Sequence, residues 1–139
     1  CGVAIEHEKG LAGHSDADVA THAVIDALLG ACALGDIGKL YPDTDERYKG
    51  ANSIALLRDA AEYAVSAGYR PVNVDVTIIA QRPKLAGFRQ AMRERLADAL
   101  GLPVECVGVK MTTTERLGFA GREEGIAAEA VAMGMAGAH

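Results

Sequence analysis

The sequence is poor in aromatic side chains and has no long apolar run. It contains no Trp, four Tyr and two Phe among 139 residues, against 26 Ala and 16 Gly. A core built from such small side chains gains little free energy per residue on burial, which favours further burial between subunits. No run approaches the ~20 apolar residues that cross a bilayer, and no signal-peptide pattern precedes the first residue, so we expect a cytoplasmic protein without a membrane segment.

Cysteine and positive charge are also scarce. The three cysteines, Cys1, Cys32 and Cys106, form no CxxC pair, and their odd number predicts reduced thiols. The net charge is −5, and the 14 Lys and Arg residues are scattered along the chain. This distribution argues against generic nucleic-acid binding. A phosphate ligand would need metal ions or backbone N–H groups to offset the acidity.

Several common phosphate-binding and catalytic motifs are missing. The sequence has no GxxxxGK[ST] loop, no GxGxxG after a predicted strand and no GxSxG elbow. These absences argue against P-loop, dinucleotide-binding and α/β-hydrolase folds. No repeat or linker divides the chain, so we predict a single domain over residues 1–139.

The pattern of apolar residues predicts an α+β fold. Helices are predicted at 16–32, 53–67 and 85–100, and strands at 3–5, 72–80, 107–113 and 125–135. For 125–135 the alanine content favours a helix, whereas the bordering glycines and the place in the chain favour a strand, and we predict a strand. We expect a small mixed or antiparallel sheet with helices packed on one face. The polar stretch 35–50 is unusually long for a loop, which is typical of functional loops.

His22 is a candidate metal ligand on the first predicted helix. Asp18 lies four residues before it and Asp26 four residues after it, so the three side chains share one stripe of the helix. A carboxylate can orient the second nitrogen of a metal-bound imidazole. The alternative is a solvated histidine, and one histidine cannot hold zinc without further ligands.

His14 and Ser15 are candidate phosphate ligands at the start of the same helix. Ser15 is the predicted N-cap, and the N–H groups at a helix start attract anions. His14 would then precede the helix and point its imidazole at the same anion. The alternative is that His14 makes only a local hydrogen bond.

Three further segments carry candidate ligands. The acidic residues of 35–50 can bind hydroxyls or a divalent ion, or form Asx turns. Lys84 follows a predicted strand and can neutralise phosphate, or it belongs to a plain strand-to-helix turn. The segment 112–115 follows another strand, and its three Thr hydroxyls and Glu115 can bind phosphate and Mg²⁺, or form a polar turn.

Together these motifs resemble one enzyme family, the 2-C-methyl-D-erythritol 2,4-cyclodiphosphate synthases of the non-mevalonate isoprenoid pathway. The resemblance extends over nearly the whole chain in colinear order. The matching stretches are HSDADVATHAVIDALLGACALGDIGKLYPDTD at 14–45, NVDVTIIAQRPKL at 73–85 and KMTTTERLGFAGREEGIAAEAVA at 110–132.

The resemblance implies a homotrimer with its sheets facing the trimer axis and its active sites between subunits. The reaction it implies is an intramolecular phosphoryl transfer. The 2-phosphate of 4-diphosphocytidyl-2-C-methyl-D-erythritol 2-phosphate attacks the β-phosphorus, CMP leaves, and a cyclic diphosphate forms. Family members use Zn²⁺, or Mn²⁺ or Co²⁺ in its place, together with Mg²⁺. Such a reaction depends on positioning and charge neutralisation rather than on a protein nucleophile.

The resemblance also implies roles for individual residues. His22 corresponds to a zinc ligand, Glu115 to a Mg²⁺ ligand, and His14 with Thr113 to a pair that stabilises the transition state. Phe119 and Arg122 correspond to residues toward the trimer axis, where relatives have a cavity that can hold an isoprenoid diphosphate. The substrate-binding positions are His14, Ser15, Asp36, Ile37, Gly38, Tyr41, Pro42, Asp43, Thr44, Asp45, Ala80, Gln81, Arg82, Pro83, Lys84, Leu85, Ala86, Thr112, Thr113, Thr114, Glu115, Phe119 and Arg122.

The sequence departs from the family pattern at its start. Family members begin with a strand carrying Asp-x-His, which supplies two zinc ligands, whereas this sequence begins at Cys1 and has no Asp-x-His before His14. Because the other motifs are intact, we expect that strand upstream of Cys1. Two alternatives remain open. One is the C-terminal domain of a fused cytidylyltransferase and synthase, and the other is a metal-poor trimer that binds cytidine phosphates or an isoprenoid diphosphate.

Overall fold

The computed structural model describes residues 12–41, 52–80, 88–118 and 127–137, with the backbone alone for 12–18. In chain order the elements are α1 (Ala12–Ala31), α2 (Ile37–Leu40), α3 (Ser53–Ser66), β1 (Tyr69–Ile79), α4 (Arg89–Leu100), β2 (Val107–Thr112) and β3 (Ala127–Ala136), with a 3₁₀ turn at Val104–Cys106. The predicted α+β class is confirmed.

The first helix begins earlier than predicted. α1 starts at Ala12, so Ser15 is not its N-cap and His14 does not precede it; both residues lie within the helix. Residues 12–15 contain no proline to stop a helix, and serine is tolerated inside one. The prediction that Ser15 is the N-cap is therefore wrong, and the anion-binding argument for His14 and Ser15 loses the helix start on which it rested.

The first helix ends in a left-handed residue. Ala33 has φ 56°, and the N–H of Leu34 donates to the carbonyl of Leu29 at 2.8 Å. This is the hydrogen bond of a Schellman motif, which closes a helix and turns the chain away from its axis. The chain is thereby directed into the segment that begins at Asp36.

The sheet has three strands, with β1 in the centre between β2 and β3. β1 and β2 are parallel, and α4 lies in the crossover that parallel neighbours require. β3 is antiparallel to β1. Ile79 lies opposite Thr112 of β2 and Ala127 of β3, so β1 and β2 end at the same edge of the sheet, where β3 begins.

The helices cover one face of the sheet. α1 packs mainly on β3, α3 on β1 and α4 on β2, with α3 also in contact with both other helices. On the covered face, alternate residues of the central strand are buried: Val74, Val76 and Ile78. The predicted packing of helices on one face of a small mixed sheet is thus confirmed.

Small side chains allow α1 to approach β3 closely. β3 packs against the core through Ala128, Ala130 and Ala132. At Gly134 an added Cβ would lie 3.0 Å from the Cys32 Sγ, which is tighter than an ordinary contact. Burial raises the pKa of the Cys32 thiol, so the thiol stays protonated and packs as a small apolar group.

The opposite face of the sheet is open. β3 exposes a stripe of large apolar side chains there: Val131, Met133 and Met135. Val131 is 73% exposed. On the same face, the Lys110 Nζ of β2 and the Asp75 Oδ2 of β1 form an ion pair at 2.8 Å. This face therefore combines an apolar edge with charged residues over β1 and β2.

Most predicted elements agree with the observed ones to within a few residues. α3 and β2 begin at the predicted positions, β1 begins three residues early, and β3 confirms the strand predicted at 125–135. α4 begins at Arg89 rather than at 85, and residues 81–87 lie outside the described part. α2 was not predicted, because its formation depends on side chains distant in sequence. The predicted strand at 3–5 lies outside the described residues.

No helix in the described part of the chain is long and apolar enough to span a membrane.

A buried hydroxyl in α1 yields a stability prediction. Thr21 is fully buried, and its Oγ1 has no hydrogen-bond partner among the described residues. Thr21→Val keeps the shape and removes the unpaired hydroxyl, so we expect the free energy of unfolding to rise by about 1 kcal/mol. Urea unfolding of this variant provides the measurement. Thr21→Ala is the matched control, since it also removes the hydroxyl but leaves a cavity and should lower stability.

Candidate active site

One exposed face of α1 carries a histidine and a carboxylate. His22 and Asp26 lie four residues apart and are both exposed, whereas Thr21, Val24 and Ile25 are buried on the core side. The predicted stripe is therefore correct for these two residues. The side chain of Asp18 lies outside the described part. The imidazole of His22 is accessible to a ligand approaching α1.

The four-residue helix α2 is held by two carboxylates. Asp36 is its N-cap, and the Asp36 Oδ1 accepts a hydrogen bond from Lys39 N at 2.8 Å. The Asp26 Oδ1 accepts one from Ile37 N at 2.6 Å. First-turn N–H groups have no partner within a helix, so these two bonds explain why a helix forms inside the predicted loop. Asp36 and Gly38 remain exposed.

Tyr41 ends this segment and is buried, with 5% of its surface exposed. Its hydroxyl donates to the Asp59 carboxylate on α3, and it lies 3.3 Å from the carbonyl oxygen of Leu56. Residues 36–41, hereafter the 36–41 segment, are thus attached to α1 at one end and to α3 at the other. Sequence reasoning missed both attachments, because their partners lie 11 and 18 residues apart.

A second group of predicted site residues lies where β1 and β2 end. Ala80 N donates to the carbonyl of Thr112 at 3.0 Å. Because the two strands are parallel, the segments that follow them leave the same edge of the sheet. The structure therefore brings Ala80, the first of the predicted substrate-binding residues 80–86, beside Thr112–Glu115, hereafter the phosphate segment.

The phosphate segment forms a tight turn. Glu115 N donates to the Thr113 Oγ1 at 3.2 Å, and the Thr114 Oγ1 donates to the carbonyl of Leu117 at 2.5 Å. Glu115 and Arg116 both have positive φ, at 54° and 67°. Two consecutive left-handed residues with side chains are unfavourable, and such strain often accompanies a functional site. The turn leaves Thr113 and Glu115 exposed.

The two groups lie on different sides of one chain. α1, with His22 and Asp26, packs mainly on β3, whereas Thr112–Glu115 follows β2. β1 separates these two strands, which places them about 10 Å apart. α3 lies between α1 and α4 in the helical layer. A single chain thus presents the two groups at opposite sides of the sheet.

Other predicted site residues lie outside the described part of the chain. For His14 and Ser15 only the helical backbone is described. The remaining ones are Pro42, Asp43, Thr44, Asp45, Gln81, Arg82, Pro83, Lys84, Leu85, Ala86, Phe119 and Arg122. Their assigned roles stay predictions.

Comparison with known sequences places the chain in a family. The YgbB family model matches residues 1–134. The 2-C-methyl-D-erythritol 2,4-cyclodiphosphate synthase of Thioalkalivibrio sulfidiphilus is 64% identical over 132 residues, covering 95% of this chain and 82% of that protein. The synthase of Erwinia tasmaniensis is 62% identical over 132 residues, covering 95% and 84%.

Solved structures show the same fold. The bifunctional IspDF from Campylobacter jejuni matches with a TM-score of 0.78 and 46% identity over 84% of this chain and 31% of that chain. The CDP complex of IspF from Plasmodium falciparum matches with a TM-score of 0.74 and 29% identity over 86% and 72%. The chain therefore belongs to the YgbB family, and it is an enzyme. Its activity is that of a 2-C-methyl-D-erythritol 2,4-cyclodiphosphate synthase, a lyase of isoprenoid biosynthesis, which confirms the resemblance.

Substitution can separate the observed role of Asp36, the cap of α2, from its predicted contact with substrate. Asp36→Asn retains an oxygen that caps α2 but loses the charge, whereas Asp36→Ala loses both. Replacing an N-cap aspartate by alanine destabilises a helix by about 1 kcal/mol. We therefore expect faster hydrogen exchange at Lys39 N in Asp36→Ala only. If the charge also binds substrate, kcat/KM falls ~10-fold or more in both variants. Wild-type kcat/KM in Asp36→Asn would contradict a charged substrate contact.

Proposed function

We propose that this enzyme converts 4-diphosphocytidyl-2-C-methyl-D-erythritol 2-phosphate to 2-C-methyl-D-erythritol 2,4-cyclodiphosphate and CMP at a site shared by two copies of the chain. An oxygen of the 2-phosphate forms a bond to the β-phosphorus. The bond from that phosphorus to the bridging oxygen breaks, and CMP leaves with the oxygen. The main support for this reaction is the family match over residues 1–134, which includes both groups of predicted site residues.

The described residues suit this chemistry. The reacting groups are both phosphates, and the chain has a net charge of −5, so repulsion must be offset locally. The Thr113 hydroxyl accepts from Glu115 N, so its own hydrogen can be donated to a phosphate oxygen. The pre-formed turn holds this hydroxyl without reorganisation during the reaction. We assign transition-state stabilisation to Thr113 and His14. Lys84 and the backbone of 80–86 would hold the cytidine end of the substrate.

The 36–41 segment would bind the methylerythritol end through two of its exposed residues. Asp36 and Gly38 face solvent on the α1 side of the chain. Their carboxylate and backbone groups can bond to the hydroxyls of a polyol. Positioning that end brings the 2-phosphate to the β-phosphorus, which is the main contribution a protein can make to an intramolecular transfer.

The placement of these groups supports a site that is divided between two chains. The 36–41 segment lies beside α1 and the phosphate segment follows β2, on opposite sides of one chain. A ring of copies would bring the α1 side of one chain against the β2 side of its neighbour. Such a heterologous contact closes into a ring when the rotation permits.

A homotrimer is the ring we propose. The open sheet face exposes Val131, Met133 and Met135, and such apolar stripes commonly mark interfaces. Turning this face toward a threefold axis would bury the stripe and add the burial that an alanine-rich core lacks. Phe119 and Arg122 would then lie toward the axis.

We also propose that the enzyme is located in the cytoplasm, as expected from its sequence.

His22 and Glu115 are suited to hold divalent cations. An exposed imidazole is a zinc ligand, and a carboxylate beside three hydroxyls suits Mg²⁺. Cations bound there would supply positive charge to the phosphate oxygens. The described residues contain no group of three His, Cys, Asp or Glu side chains that could hold a metal. A metal ion held by His22 would take its other ligands from residues outside this described set.

Loss of the imidazole should remove metal and activity together. We expect His22→Ala to lower both the zinc content and kcat by ~10-fold or more, because ligand loss weakens a three-ligand site. Elemental analysis of the purified protein, alongside turnover, measures both. His22 is exposed, so the fold and oligomer should persist. Full zinc occupancy in His22→Ala would refute the assignment.

Mixed oligomers test the shared site. An Asp36→Asn chain and a Thr113→Ala chain carry defects in different halves of the site. Co-expressed with two different tags and purified on both, each mixed trimer has one intact interface, so about a third of wild-type activity should return. Trimers of either variant alone are the controls. Mixed trimers without activity would place both residues in the same chain's site.

A further inference from the structure

We propose that Asp26 is a positioning residue, which holds the 36–41 segment in the place where it binds substrate. This proposal rests on the proposed role of that segment. The sequence suggested a different role for Asp26, in orienting the His22 imidazole. The structure instead places the Asp26 Oδ1 2.6 Å from the N–H of Ile37, eleven residues away.

The hydrogen bond satisfies a donor that α2 cannot satisfy itself. Ile37 is the first residue of a four-residue helix, and its N–H has no carbonyl within that helix to bond. A helix this short is not stable by itself, since helix nucleation is costly. Asp36 caps Lys39 N from within the segment. Asp26 supplies the bond that ties the segment to α1.

The position of Asp26 connects the segment to His22. The two residues are four apart on the exposed face of α1, which is one turn of helix and about 6 Å of rise. α1 is anchored in the core by Val24, Ile25, Leu28 and Leu29, all fully buried. The hydrogen bond to Ile37 therefore fixes the position of the exposed Asp36 and Gly38 along α1, relative to His22. Small errors in such placement reduce the rate of a positioned reaction strongly.

Two substitutions separate the hydrogen bond from the charge. Asp26→Asn retains an oxygen that can accept from Ile37 N but carries no charge. Asp26→Ala loses both the acceptor and the charge. Asp98→Ala is the matched control, because Asp98 is an exposed aspartate that pairs with Arg58 on the distant α4 side.

We expect kcat/KM to fall by ~10- to 100-fold in Asp26→Ala, and to stay within about threefold of wild type in Asp26→Asn and Asp98→Ala. The zinc content should be the same in all four proteins, because Asp26 acts on the segment and not on the metal. If Asp26→Asn loses as much activity as Asp26→Ala, the charge of Asp26 is what matters and the proposal is wrong. If either variant loses zinc, Asp26 supports the metal site and the proposal is also wrong.

Hydrogen exchange at Ile37 N tests the same bond without any activity measurement. We expect protection of this amide in the wild type and in Asp26→Asn, and its loss in Asp26→Ala. Unchanged protection in Asp26→Ala would overturn the proposal.

Should Asp26→Ala fail to fold, Asp26→Leu replaces it as the variant without an acceptor. If the exchange pattern is as expected but the wild type does not cyclise the substrate, the proposed function fails while the positioning contact stands.

Discussion

Close packing of α1 on β3 is the contact on which the rest of the molecule depends. β3 presents only alanines and a glycine to the helix, at Ala128, Ala130, Ala132 and Gly134. Any side chain at Gly134 would press on the Cys32 sulfur, 3.0 Å from the position of its Cβ. The helix therefore lies close to the sheet, and the core gains dispersion contacts that compensate for the shortage of large aromatic side chains.

This packing also determines where the predicted site residues lie. Because one side of α1 packs on β3, the helix exposes His22 and Asp26 on its other side, and the left-handed Ala33 directs the chain into the 36–41 segment. The parallel pairing of β1 and β2 brings the segments that follow them to one edge of the sheet, because parallel strands end together. The predicted site residues thereby fall into two groups, one beside α1 and one after β1 and β2.

Several carboxylates of this acidic chain stabilise its own donors. Asp26 accepts from Ile37 N, Asp36 from Lys39 N, Asp59 from Tyr41, and Asp75 pairs with Lys110. Hydrogen bonds and ion pairs of this kind hold backbone and side-chain groups in place. In the 112–117 turn, the Thr113 hydroxyl accepts from Glu115 N and can still donate its hydrogen to an anion.

Period-2 and helical patterns were sufficient to predict the order and type of most elements, since burial of one face imposes those periods on the chain. The glycines that border 125–135 and its place in the chain correctly predicted β3 as a strand, although its alanines favoured a helix. The resemblance of three colinear stretches was enough to identify the family, and the roles of the candidate residues remain predictions that rest on it. The start of α1 was mispredicted, because Ser15 can serve as an N-cap or as an interior residue.

The contacts of Asp26 with Ile37 and of Tyr41 with Asp59 join residues on separate elements. No local pattern encodes such pairs, since they form only after the helices have packed on the sheet and brought distant side chains within hydrogen-bond distance.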